Sequence, residues 1–249
     1  MPASTPAPDA AEAPVGRRFT GHRKVRLGDA AADGRLRFDA LTRHTQDVSD
    51  DDTTDAGLSA ELGWVVRRTT VSVERHARLG EELAVTTYCS GLGKRWADRR
   101  LDIEGSEGAR ITVVTLWICI DVAAARPAPL SAQFLDLYGP AAQGRTVSAR
   151  LQHPKAPAEG AETWSWPLRV ADIDTQGHVN NAAYWAVLEE ALGGVAPEGA
   201  HEARIEYGAG LTLDDEVTVH HAEVDGVRLW WLLNGAGETA ASISLAVPD

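Results

Sequence analysis

The stretch LRVADIDTQGHVNNAAYWAVLEEAL at residues 168–192 decides the fold. Residues 168–170 read as a short strand, the middle as a polar loop holding Asp172, Asp174, Gln176 and His178, and the end as a helix. Asn180 and Asn181 stand where that helix should begin, the position at which Asn side chains accept otherwise orphaned backbone N–H bonds. Past them Tyr184, Val187, Leu188, Ala191 and Leu192 keep the i, i+3, i+4, i+7, i+8 spacing of one apolar helix face. A carboxylate, an amide and an imidazole thus precede the positive end of a buried helix, a good place to polarise a carbonyl and activate water. The same residues also suit a plain structural turn, because Asp-x-x-Gly is ordinary turn chemistry and Asn an ordinary cap.

Working outward, residues 64–74, 82–90, 95–104 and 109–121 are rich in Val, Thr, Ile and Trp and are separated by short Gly-containing turns. Successive antiparallel strands look like this, and no helical pattern intervenes to build a parallel sheet. Ahead of them lie a strand at residues 22–27 and a helix at residues 36–48. The acidic run at residues 47–57 reads as a solvated surface rather than a cation site. Residues 1–17 are Ala- and Pro-rich and are expected to form a disordered tail, and residues 140–163 read as a linker. Beyond it, after the 168–192 unit, come strands at residues 203–207, 216–223, 227–234 and 239–247.

The plan therefore occurs twice, and so does the sequence. VRLGDAAADGRL from Val25 lies over LRVADIDTQGHV from Leu168, pairing Asp29 with Asp172 and Gly34 with Gly177, while LGEELAV from Leu79 lies over LDDEVTV from Leu213. Such a duplication implies an α+β molecule of two repeats, at residues 18–139 and 164–249, each an antiparallel sheet wrapped round one long helix. The halves differ at the loop, where Ala31 and Arg35 stand in the places of Asp174 and His178. That asymmetry favours a functional site in the second half.

DIDTQGHVNNAAYW resembles the helix-entry motif of hot-dog-fold thioesterases. WVVRRTTVSVERHARLGEELAVTTYCSGLGKRWADRR, from Trp64, resembles the first repeat of the acyl-ACP thioesterases, which are tandem hot dogs. The resemblance spans residues 22–247 and implies hydrolysis of an acyl thioester on acyl carrier protein, with an acyl tunnel largely in the first repeat and catalysis in the second. It puts the family's Asp on Asp174, its His on His178 and its Asn on Gln176, which keeps the amide and adds a methylene. Gly177, Val179, Asn180 and Asn181 then form the substrate-binding edge of the loop, with backbone N–H groups near Gly177 to Asn180 holding the oxyanion. The family's Glu, which follows a Glu-Tyr pair on the next strand, is missing: Glu206-Tyr207 is followed by Gly210 and Leu211. Either Asp174 takes over as the principal carboxylate, acting as base on water or attacking directly, or catalysis is weak or lost.

No cofactor and no metal is expected, and no Gly-x-Ser-x-Gly elbow points to a serine hydrolase. Other readings are an acyl-CoA thioesterase or hydratase of the hot-dog class and a non-catalytic acyl-binding protein. The net charge of −12 excludes a general nucleic-acid binder. The absence of a long apolar run excludes a helical membrane span, and Cys89 and Cys119 read as buried reduced thiols of a cytoplasmic monomer or homodimer. Arg67, Arg68, Lys94, Arg95, Arg99 and Arg100 gather in the first repeat, and some of them are expected to form a docking patch for an acidic carrier.

Overall fold

Alternation along each strand puts one row of side chains on a buried face: Leu83, Val85, Thr87 and Cys89 on one strand, Leu101 and Ile103 on the next. The computed structural model describes residues 15–58, 62–124, 126–197 and 199–247. Most of the expected tail, residues 1–14, lies outside the described residues.

The first half comprises β1 (Phe19–Lys24), α1 (Phe38–Asp55), β2 (Leu62–Arg75), β3 (Glu82–Leu92), β4 (Trp96–Gly105), β5 (Arg110–Asp121) and the short β6 (Arg126–Pro127). After α2 (Ala132–Tyr138) come β7 (Glu162–Trp166), α3 (Trp185–Ala191), β8 (His201–Tyr207), β9 (Val217–Val224), β10 (Val227–Leu233) and β11 (Thr239–Ala246). They form one antiparallel sheet ordered β1-β3-β4-β5-β2-β8-β11-β10-β9-β7, with β6 beside β5. The order reads outward from the centre as β2, β5, β4, β3, β1 on one side and β8, β11, β10, β9, β7 on the other. Each half therefore repeats the other, as the duplicated sequence requires of a double hot-dog fold. The halves join where β2 pairs with β8, from Arg68 opposite Glu206 to Val73 opposite His201.

The sheet curves round α1 and α3, which meet where Phe38 stacks on Trp185 at 5.6 Å. Phe38, Leu41, Thr45, Val48 and Asp52 form the buried stripe of α1. The helix runs well past residue 48, and the acidic run is its second half. Asp52 is 0 % exposed and accepts hydrogen bonds from Arg17 (2.7 Å), Arg99 (2.5 Å) and the Tyr138 hydroxyl (2.8 Å). Tertiary pairing outweighs the weak helix propensity of Asp and Thr there.

The strand expected at residues 168–170 is instead β7, with a single 3-10 turn at Val170–Asp172. The linker is a strap tied across the sheet. Glu206 accepts the N–H groups of Gln152 and His153 (2.8 and 3.0 Å), Trp96 donates to the Val147 carbonyl (2.9 Å) and Trp231 to that of Pro154 (2.9 Å). Among the described residues no helix is long and apolar enough to cross a membrane.

Candidate active site

The loop of the second half is a tight turn closed by its own backbone. Asp174 N–H donates to the His178 carbonyl (2.8 Å), and Gly177 N–H donates back to the Asp174 carbonyl (3.1 Å). Gly177 has φ +80°, a left-handed conformation that glycine adopts without Cβ strain. One carboxylate oxygen of Asp174, Oδ1, accepts the N–H groups of Gln176 (2.8 Å) and His178 (3.3 Å). The other oxygen has no partner among the described residues. Asp172, by contrast, is a buried structural group, held by Arg169 at 2.7 Å and receiving the Asn180 N–H on its carbonyl (2.8 Å).

A cavity of about 360 Å³ opens against this turn. Asp174, Gln176, Asn180 and Asn181 line one wall, and Gln46, Ser49, Asp50 and Thr53 of α1 line the facing one. The cavity continues between Leu58, Trp64, Cys89, Trp117, Phe134 and Tyr138. Burial pushes the Cys89 thiol up to about 11, so it is neutral and inert wall material. The four α1 residues recur at i, i+3, i+4 and i+7, a polar stripe beside the apolar one. That stripe was legible in the sequence once the helix was extended past residue 48.

Gly177, His178 and Val179 do not line the cavity. His178 is exposed and its ring lies against Gly210, whose added Cβ would stand 3.3 Å from His178 Cδ2. The backbone donors expected for an oxyanion are mostly spent: Val179 N–H goes to the Leu211 carbonyl (2.8 Å), Asn180 N–H to Asp172 and Gly177 N–H to Asp174. The regular helix also starts only at Trp185, because the Asn180 side chain accepts the Ala182 N–H (2.9 Å) and holds an intervening turn. The helix-dipole expectation is corrected accordingly. Of the four edge residues, Asn181 keeps a backbone N–H with no acceptor among the described residues. Tyr207, which the sequence marks only as half of the Glu-Tyr pair, fixes Asn181 by donating its hydroxyl to that residue's carbonyl (3.0 Å).

The equivalent loop of the first half is sealed. Arg35, in the place of His178, turns inward, is 1 % exposed and grips Glu189 of α3 with two hydrogen bonds (2.6 and 3.0 Å). Glu189 stands as far beyond Gly177 as Gln46 stands beyond Gly34. Each loop thus faces the other half's helix, with an ion pair filling one such junction and the cavity occupying the other.

Of the six cations from which a docking patch is expected, four are engaged by neighbouring groups. Arg99 is interior, Arg100 pairs with Asp102 (2.7 Å), and Arg67 and Arg68 donate to the carbonyls of Tyr207 and Arg150. Lys94 and Arg95 are exposed. Among the described residues no His, Cys, Asp and Glu cluster suits a metal ion.

The family model for the acyl-ACP thioesterase N-terminal domain matches residues 16–138, and that for the C-terminal domain matches residues 155–244. An uncharacterized protein of Mycobacterium tuberculosis, recorded in two strains, is 28 % identical over 210 residues, covering 84 % of each chain. Among solved structures, the 12:0-ACP thioesterase from Umbellularia californica superposes with TM-score 0.73 at 19 % identity, covering 92 % of this chain and 96 % of that one. An acyl-ACP thioesterase from Bacteroides thetaiotaomicron gives 0.74 at 16 % identity with the same coverage.

Proposed function

Since the chain belongs to the acyl-ACP thioesterase family, we propose that it hydrolyses the thioester of an acyl group carried on acyl carrier protein, releasing the free acid. The observation that carries this reading is the cavity itself. It has a carboxylate with one unpaired oxygen and two Asn residues at the turn, and it continues into an aromatic wall able to hold an acyl chain.

In this reading Asp174 is the base that takes a proton from water as the water attacks the thioester carbonyl. The Asn181 N–H and the amides of Gln176, Asn180 and Asn181 stabilise the developing oxyanion. The thiolate leaves readily, so no stronger nucleophile is needed. His178, at the exposed rim, is a supporting group. The exposed Lys94 and Arg95 remain as docking groups for an acidic carrier.

The test is a matched panel of acyl-carrier-protein and acyl-CoA thioesters of one chain length, assayed for free thiol across a salt titration. The expected result is a higher kcat/KM for the carrier-protein substrate, with a KM that rises with salt as screening weakens docking. Equal, salt-independent use of both carriers would point to acyl-CoA, and tight binding without turnover to a non-catalytic acyl-binding protein.

A further inference from the structure

The cavity ends in hydrogen-bond donors. Arg99 lies on the inner face of β4, in register with Leu101 and Ile103, and lines the cavity beside Trp64, Phe134 and Tyr138. One terminal nitrogen donates to Asp52 (2.5 Å) and Thr87 (3.2 Å). Its Nε–H and other terminal nitrogen have no acceptor among the described residues. Neither nitrogen is sealed from solvent, and the side chain is 14 % exposed. Trp117, opposite Ala97 on β5 and so the same-face diagonal neighbour of Arg99, also lines the cavity, but its indole N–H is sealed without an acceptor and offers the cavity no donor, which leaves the reading of a ligand oxygen to Arg99.

This end carries no excess of positive charge. Asp52 takes Arg17, Arg99 and the Tyr138 hydroxyl, Arg17 also reaches Asp55 (2.6 Å), and Asp50 and the buried Asp98 line the cavity as well, so two guanidinium groups stand among at least as many carboxyl groups. No net positive charge is left to offset burial of an anion. A saturated chain would strip water from the donors and return nothing. A neutral oxygen would accept from them.

We infer that the preferred acyl group is oxygenated, with a hydroxyl or keto oxygen in its distal part that is read by Arg99. Asn181 shares a small side cavity with Thr45, Gln46 and Ser49, whereas Arg99 is tied to Asp52. The helical rise from Gln46 to Asp52 puts the oxygen roughly 10 Å from the thioester. This inference rests on the hydrolytic reading above and specifies its substrate.

The experiment compares carrier-protein thioesters of one chain length that are saturated, distally hydroxylated, distally keto, or ω-carboxylated. The unmodified chain should favour the hydroxy and keto substrates over the saturated one by about 10- to 100-fold in kcat/KM. Arg99→Lys keeps a cation beside Asp52 and removes the planar fan of donors, so this ratio should fall toward one. Dissociation constants of the corresponding free acids are measured in parallel and should follow the same order. Absence of turnover therefore counts against the hydrolytic reading alone. Preference for the saturated or ω-carboxylated chain would overturn the inference, as would an Arg99→Lys variant that slows every substrate equally.

Discussion

Asp174 carries two separable jobs on its two oxygens, and the first repeat shows that another group can take over the structural one. There, Ala31 N–H donates to the Arg35 carbonyl (2.8 Å) and Gly34 N–H to the Ala31 carbonyl (2.9 Å), the same turn, with Asp33 Oδ1 rather than a residue at position 31 accepting the Arg35 N–H (3.0 Å). Asp174→Asn keeps an oxygen for the Gln176 and His178 N–H groups and removes only charge and basicity. The expected outcome is a rate loss on the order of 100- to 10,000-fold with a nearly unchanged melting temperature. A folded variant with the original rate of thiol release would remove Asp174 from the mechanism. His178→Ala should cost less, because the ring stands at the rim rather than in the cavity. Gly210 offers the complementary experiment. A Glu there would put a carboxylate beside His178, and the exposed ring is free to shift the few tenths of an ångström its Cβ needs. Gly210→Glu added to Asp174→Asn should recover about tenfold in rate, and no recovery would mean that this position does not reach the reacting water.

At the scale of elements, the junction between each loop and the opposite helix is the repeated part, and Arg35–Glu189 shows how one copy was closed. Glu189 also accepts the Phe38 N–H (2.6 Å) at the start of α1, so the pair ties both helices. Removing one partner strands a buried charge, at a cost of about 3–5 kcal/mol, which for a chain of this size lowers Tm by about 10 °C. Replacing both with Met should cost much less than either single change, and a thermal-melt double-mutant cycle checks this. Additive losses would show that each residue acts alone. The strands and the duplication were legible because alternation and Gly turns are local signals. The second half of α1 was not, since the helical pattern stops at Val48 and the Asp, Ser and Thr beyond it read as solvated surface. What holds it is Asp52, whose partners Arg17, Arg99 and Tyr138 are distant in sequence. Asn180 misled in the opposite sense: it caps a turn rather than the helix, which delays α3 and uses up donors expected for the oxyanion. The polar wall of α1 and the interior place of Arg99 likewise depend on which strand faces which helix.

For the molecule as a whole, the folded state buries histidines in neutral form, and this sets its acid sensitivity. Burial lowers His76 to about 4, assisted by His201 at 4.9 Å between ring centres and by the Arg35 and Arg78 charges; Asp33 opposes this. Burial likewise lowers His201, His44 and His153. Each of these groups binds a proton more readily when unfolded, at its ordinary value near 6.5. The stability they contribute is therefore fully present above about pH 6.5 and is lost as pH falls toward the depressed folded values. Asp39, held down by Arg37 and Arg43 against the opposing effect of burial, adds a loss of the same sign below the ordinary carboxylate range, outside this window. Allowing for partial exposure, His76 alone accounts for roughly 1 kcal/mol between neutral pH and pH 5. The expected observation is a Tm at pH 5 several degrees below that at pH 7, with the gap narrowed in His76→Gln relative to the unmodified chain. Melting curves at the two pH values on both proteins decide it. A Tm that does not move between them would mean that the paired rings of His76 and His201 accept protons in the folded state as readily as in the unfolded one.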